Sequence, residues 1–455
     1  MSPVRGSDGA CCDGPRKPLD GALLIIGDTR DVTRSLPDGS VDLILTSPPF
    51  LALRSYLPAD HPDKAKEIGS EATPGEFLDV LLDLAEEWRR VLAPHGSIAV
   101  ELGDTYAGSG GAGGDYGTKD PGAKGLRDGQ PKFTGSAIAA RRTRNANRAS
   151  GEKASNTQGG RRVRSEDEEL GRDEMDGWPM DKSLSLIPEM FRFALAYGVN
   201  PLTGRQTDRW RIRNVIRWCR PNPPVGALGD KFRPGTSEMV IATIDRRRYF
   251  DLDAVRHPSD YDRPNLRGKG SRPGGTPPGQ KENTSDHTVN PAGAPPLDWW
   301  EIPTEPYKGS HYATFPTALL TKPILAMTPE RVCLTCGEPS RRIVEVTYEE
   351  GSGGTTGVRR NLAEPDGRTN GTGMTGKKVM DRHAETTGWT DCGHDNWRRG
   401  IVLDPFAGSG TTLLVATGHG RNAIGIDIDE RNADLARERV GMFLDIEHFT
   451  KEAVA

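Results

Sequence analysis

Residues 400–427, GIVLDPFAGSGTTLLVATGHGRNAIGID, decide the fold. IVLDPF reads as a buried strand, AGSG as a tight turn, TTLLVATGHG as a helix and NAIGID as a second strand, which makes a β-loop-α-β unit. Gly408 and Gly410 let the backbone approach a ligand in conformations that other residues resist. The helix start offers unpaired N–H groups and a positive dipole end. Asp427, closing the second strand, can accept both hydroxyls of a ribose. A phosphate-binding loop would need a lysine after the glycines, and GSGTT has none. A dinucleotide fingerprint would need a third glycine, where the chain has threonines and a leucine.

Working outward, ALLIIGD (22–28), VDLILTSPPF (41–50) and GSIAVELGD (96–104) are short apolar runs ending in polar loops, the pattern of buried parallel strands. Between the last two, Phe77, Val80, Leu81, Leu84, Trp88, Val91 and Leu92 recur every three to four residues. That spacing predicts an amphipathic helix stopped by Pro94 and Gly96. SLIPEMFRFALAYG (185–198) predicts another helix, closed by Gly198, and SEMVIATIDRRRYFDLDAV (237–255) a strand hairpin region. Strands alternating with helices imply an α/β, doubly wound, mostly parallel sheet. After Asp427 the sequence predicts one helix, ERNADLARERV, and no further strand. The sheet therefore needs its next strand from elsewhere, and ALLIIGD near the other end of the chain is free to supply it.

Glycine and proline make 90 of 455 residues (55 and 35), so long irregular segments must interrupt this core. No apolar run reaches the roughly 18–20 residues that span a bilayer, and the first residues lack a signal pattern. A membrane or secreted protein is excluded on this reading, and six cysteines are too few for a disulfide scaffold. The net charge of −4 does not advertise nucleic acid; its distribution is more telling. Between Ser136 and Arg164 stand eight basic residues against one acid, Glu152, followed by the acidic run SEDEELGRDEMD. This is either a solvated loop or an arm that meets phosphates.

TSPPF (46–50) ends the strand VDLIL. Two consecutive prolines stiffen the loop and leave its carbonyls facing outward. The Ser47 hydroxyl adds an acceptor and Phe50 a flat apolar surface, which together could hold an exocyclic amine of a base. With these residues in view, DPFAGSGTT resembles motif I, GIDID motif II and SPPF motif IV of S-adenosylmethionine-dependent DNA amino-methyltransferases. Motif IV precedes motif I here, which is the circularly permuted order of the family's β group, containing cytosine-N4 and some adenine-N6 enzymes. The resemblance implies a Rossmann-like methyltransferase fold with catalytic residues Ser47, Pro48, Pro49 and Phe50. It implies cofactor contacts at Asp28, Phe315, Pro316, Asp404, Phe406, Gly408, Ser409, Gly410, Thr411 and Asp427. It also implies that Tyr249 or Phe250 packs the target base.

On that reading the chain divides into a disordered leader (1–19), a catalytic half (20–106), an Arg/Gly-rich insertion (107–176), continued methyltransferase domain (177–255), a target-recognition insertion (256–298), a motif X segment (299–332), a zinc-binding insertion (333–397) and a cofactor-binding half (398–455). The expected reaction moves a methyl group from S-adenosylmethionine to the amine of a flipped base in double-stranded DNA. Serine at the first position of motif IV favours cytosine N4, with adenine N6 the alternative and RNA or protein glutamine less favoured. Cytosine-C5 chemistry needs a Pro-Cys nucleophile; Cys219 follows Trp218, and no such pair occurs. A cognate restriction endonuclease is a candidate partner, and the expected location is the cytoplasm of a bacterial or phage-infected cell. Cys333, Cys336, Cys392 and His394 supply the ingredients of a structural Zn²⁺ site, although Cys-x-His is tighter than the usual second pair.

Overall fold

The computed structural model describes residues 19–53, 56–58, 60–107, 177–180, 182–223, 231–257, 293–305, 315–350 and 380–450, apart from the side chains of 346, 348–350 and 380–384. Most of the leader, the Arg/Gly-rich insertion beyond 107 and most of the recognition insertion lie outside them. The strands are β1 (Ala22–Ile26), β2 (Val41–Thr46), β3 (Leu92–Leu102), β4 (Arg211–Cys219), β5 (Thr236–Thr243), β6 (Trp299–Glu301), β7 (Arg331–Cys333), β8 (Arg342–Glu350), β9 (Met380–Trp389), β10 (Trp397–Arg399), β11 (Ile401–Asp404), β12 (Asn422–Asp427) and β13 (Leu444–His448). The helices are α1 (Thr29–Ser35), α2 (Pro74–Val91), α3 (Ile187–Tyr197), α4 (Thr317–Met327), α5 (Thr411–Gly418) and α6 (Asn432–Val440).

Nine strands form one sheet in the order β13-β1-β12-β11-β2-β3-β5-β4-β6. The six from β13 to β3 run parallel, β5 is antiparallel to both neighbours, and β6 is parallel to β4. β1 therefore occupies the place beside β12 that the permuted order assigns to it, with Ile26 opposite Asp427. Two expectations are corrected. A further strand, β13, does follow the last helix and pairs with β1. Helix α2 ends at Val91, so Pro94 and Gly96 lie inside β3 instead of stopping the helix.

Helix α2 starts at a capping box. Glu76 N–H donates to Thr73 Oγ1 (3.1 Å), Thr73 N–H donates to Glu76 Oε2 (3.2 Å), and Pro74 takes the first turn, where no N–H is missed. Its periodic face, Phe77, Leu81, Leu84, Trp88 and Val91, is wholly buried against the sheet core of Ile44, Ile98, Val100 and Leu102. Helix α3 ends where the sequence predicts, with Gly198 left-handed at φ 77°.

At the N-terminal edge of the parallel strands, Asp42 is fully buried. It accepts from His95 Nε2 (2.9 Å), Ile401 N–H (2.7 Å) and the Arg398 guanidinium. Burial opposes its charge, but these partners win and hold its carboxyl below the usual range.

The chain forms two compact units. The larger comprises 1–250, 298–339 and 394–455, and the smaller 251–297 and 340–393. In the smaller, β8 and β9 form an antiparallel pair with Arg342 opposite Trp389, and the Arg342 guanidinium stands 2.9 Å from Asp251.

Asp42→Ala removes the buried acceptor of His95 and leaves the Arg398 guanidinium without its counter-charge. It should cost about 3–5 kcal/mol of stability, read from the denaturant midpoint of the full chain.

Candidate active site

The C-terminal ends of β1, β12, β11, β2 and β3 all open on one edge of the sheet, where open α/β sheets place their ligands. In the loop after β11, Gly408 and Gly410 adopt φ 50° and 77°, and Gly410 starts α5. Gly425 on β12 gives that helix room: a Cβ there would stand 2.8 Å from both Ala407 and Leu413.

Asp427 Oδ2 accepts the Gly408 N–H at 2.7 Å, and its Oδ1 accepts Asp429 N–H (2.8 Å) and Asn432 Nδ2 (3.0 Å). Burial nevertheless pushes the Asp427 carboxyl up to about 6, against those three donors. Oδ2, with a single donor, keeps acceptor capacity for a ribose hydroxyl, while Oδ1 already takes two. Asp28 follows β1 two residues past the strand neighbour of Asp427. Its carboxylate caps α1 through Arg30 N–H (2.9 Å) and pairs with the Arg30 guanidinium (2.8 Å).

Asp404 is tied up within the protein: Oδ1 accepts from Thr46 Oγ1 (2.6 Å) and Phe406 N–H (3.1 Å), and Oδ2 from Thr412 Oγ1 (2.5 Å). Ser409 is 1% exposed and its hydroxyl accepts from Arg439 (2.8 Å), so its side chain serves the fold of the loop. Thr411 is buried in the first turn of α5, while Phe406 is half-buried beside the glycines. Phe315 and Pro316 lead into α4, which packs against α5, β2 and β3.

Thr46, the last residue of β2, pairs with Val100 of β3, and Ser47, Pro48, Pro49 and Phe50 follow it. The Ser47 hydroxyl donates to Glu101 Oε2 at 2.6 Å. Glu101 is 4% exposed, and its Oε1 has no hydrogen-bond partner among the described residues. Burial raises its pKa, opposed by the neighbouring hydroxyls of Ser237 and Ser47 and by the charge of Arg220. The Phe50 ring is seated on the backbone of Gly103, where a Cβ would come within 2.5 Å of Phe50 Cε2. In the sequence ELGD is only the end of a strand, and nothing local marks Glu101 or Gly103 as a site residue. An acid in an otherwise apolar strand, next in the sheet to SPPF, was the available signal.

The base-packing role expected of Tyr249 or Phe250 is corrected. Tyr249 N–H donates to the His95 carbonyl (2.8 Å) in the first half of β3, and both residues follow the far end of antiparallel β5. They lie at the opposite edge of the sheet from Ser47. Tyr249 is 1% exposed, and the Arg248 guanidinium covers Phe250 at 4.4 Å.

Within the larger unit, Cys333 Sγ and His394 Nδ1 stand 3.6 Å apart, with Cys336 three residues on from Cys333. Gly337 N–H donates to the Cys333 carbonyl (2.9 Å) with Gly337 at φ 74°, closing the Cys-x-x-Cys turn.

A glycine loop and an acidic strand end beside a stiff acceptor loop with a buried carboxylate define a Rossmann-like enzyme that brings a nucleoside cofactor to an amine. A family described as DNA methylase, of N6 and N4 enzymes, matches residues 41–333 and 396–438, and the chain belongs to it. It is 28% identical to the type II methyltransferase M.Cfr9I of Citrobacter freundii over 68% of this chain and 74% of that protein. It is 23% identical to M.SmaI of Serratia marcescens over 93% and 91%. Among solved structures, the PvuII cytosine-N4-specific DNA methyltransferase aligns over 95% of this chain and 98% of that one, at 13% identity and TM-score 0.42.

Ribose hydroxyls donate to an ionised carboxylate, so affinity for S-adenosylmethionine should weaken as pH falls through about 6, where Asp427 protonates. Asp427→Asn should bind weakly and lose this pH dependence, as measured by calorimetry between pH 5 and 8.

Proposed function

We propose that the protein methylates cytosine N4 in double-stranded DNA, using S-adenosylmethionine. One observation carries the reading. Through Asp404 and Glu101, the cofactor loop and the SPPF loop share a wall, with Thr46 bonded to one carboxyl and its neighbour Ser47 to the other.

When bound, S-adenosylmethionine supplies an electrophilic methyl group on a sulfonium, which the amine nitrogen takes by in-line displacement while the C–S electron pair stays on sulfur. The chain's residues position and deprotonate that amine. The Ser47 hydroxyl donates a hydrogen bond to Glu101, so its lone pairs are free to accept one amine N–H, and the Pro48 carbonyl accepts the other. The paired prolines keep both acceptors in place without reorganisation. Phe50, braced on Gly103, offers a stacking face to a flipped base, worth about 1–3 kcal/mol against the cost of unstacking. As positive charge develops on nitrogen, an amine proton moves to Ser47 Oγ while the Ser47 proton moves to Glu101. The raised pKa makes Glu101 a stronger acceptor at neutral pH.

The protein acts on DNA, and its relatives are named type II methyltransferases, which supports a cognate restriction endonuclease as partner and a cytoplasmic site of action. No helix among the described residues is long and apolar enough to cross a membrane. Cys333, Cys336, Cys392 and His394 offer three thiolates and an imidazole, the donors of a closed tetrahedral set, which supports a structural Zn²⁺ ion.

Incubation with labelled S-adenosylmethionine and plasmid DNA, followed by mass spectrometry of the nucleosides, should yield N4-methylcytosine; N6-methyladenine would reassign the target. Ser47→Ala should lower kcat by about 10²–10³ and Glu101→Gln by about 10²–10⁴, with cofactor binding retained. Protonated Glu101 cannot accept, so wild-type activity should fall with decreasing pH at a value above the ordinary glutamate range. Glu101→Gln should flatten that limb.

Purified full-length protein should carry about one zinc by elemental analysis, and Cys336→Ser should release it. Metal-free wild type of unchanged stability would remove the zinc site.

A further inference from the structure

Beyond the amine-holding loop, the wall that carries Glu101 continues onto the neighbouring strands. The strand register places it. Glu101 lies opposite Met239, and Met239 opposite Ile216. Side chains alternate across a sheet, so Glu101, Ser237, Trp218 and, by the same count, Arg220 share one face, with Phe50 laid over Gly103 on it. The opposite face presents Leu102, Glu238 and Arg217, where Glu238 pairs with Arg217 (2.6 Å) and with Arg192 of α3.

Arg220 stands just past the end of β4, at the ligand edge of the sheet. Its backbone N–H donates to the Gly235 carbonyl (2.7 Å), and its guanidinium lies over the Trp218 ring at 4.9 Å. The aromatic surface holds the fork flat. Nε is buried and, among the described residues, has no hydrogen-bond partner. The charge of Arg220 is felt at Glu101, yet no ion pair within 4.0 Å joins them among the described residues. A carboxylate oxygen and a guanidinium donor that have no hydrogen-bond partner among the described residues thus share one face beside the stacking ring.

We infer that Arg220 is the specificity-determining residue for the target base, its guanidinium fork donating to N3 and O2 of the flipped cytosine. This rests on the cytosine-N4 reading. With the amine held by Ser47 and Pro48, the next two positions along cytosine's pairing edge are both acceptors. That pair matches two parallel N–H groups of a planar guanidinium. Adenine presents one ring nitrogen and then a C–H, which leaves one buried donor unpaired. A site built around a hydrogen bond rejects the analogue that lacks it by large factors.

The test uses the full chain, wild type against Arg220→Met and Arg220→Lys, with S-adenosylmethionine and plasmid DNA. Modified nucleosides are read by mass spectrometry, cofactor affinity by calorimetry and DNA affinity from 50 to 200 mM salt. Arg220→Met should lower kcat/KM for N4-methylcytosine by at least about 100-fold, with cofactor affinity within about twofold and the salt dependence of DNA binding unchanged. Arg220→Lys keeps the charge without the fork and should lose at least about tenfold; it carries the test if the methionine variant does not fold. Wild-type turnover in either folded variant overturns the inference. So does a salt slope reduced by about one, which would put Arg220 on a phosphate. N6-methyladenine from the wild-type protein would overturn the cytosine reading itself, a result visible without any variant.

Discussion

The carboxyl of Asp404 is the constraint on which the rest of the site depends. It is 1% exposed and accepts Thr46 from the strand that carries SPPF, Thr412 from the helix of the glycine loop, and the backbone N–H of Phe406. Segments separated by 358 residues are fastened at one buried point. Burial raises the Asp404 pKa, opposed by the two hydroxyls and the N–H. Leaving such a group unmatched costs about 1–3 kcal/mol or more, so the joint forms with its partners in place.

The same edge concentrates buried acids. Asp404, Asp427 and Glu101 are all pushed upward by burial, and each is held by hydroxyl or N–H donors from a different part of the chain. Their tasks separate by what remains unpaired. Asp404 is consumed by the fold, Asp427 Oδ2 keeps acceptor capacity, and Glu101 Oε1 has no hydrogen-bond partner among the described residues. A cationic cofactor and an amine that becomes positive are both suited to an edge of this charge.

Much of this was legible in the sequence because the informative segments are local. The glycine turn, the acidic strand end and the SPPF loop each declare their geometry within ten residues, and ALLIIGD was placed beside β12 by the need to complete a sheet. What escaped depends on pairing between strands. Glu101 becomes a site residue only through its hydrogen bond to Ser47, and Arg220 only through the register that puts it on the same face. Tyr249 and Phe250 were misplaced because the polarity of β5 decides which edge they reach. The side chains of Asp404 and Ser409 bond within the protein, which the letters of a loop do not reveal. The strand β13 was missed because LDIEH, with alternating charges, lacks the apolar run of a buried strand and lies at the sheet edge.

A crystal structure of the full chain with duplex DNA and a non-transferring analogue of S-adenosylmethionine tests the central claim most directly. The account predicts the analogue's ribose on Asp427 and a cytosine swung out of the helix. The amine nitrogen should sit about 3–3.5 Å from the position of the transferable carbon, bonded to Ser47 Oγ and the Pro48 carbonyl. A base still stacked in the duplex with the pocket filled otherwise, or an analogue bound away from Gly408, would contradict it.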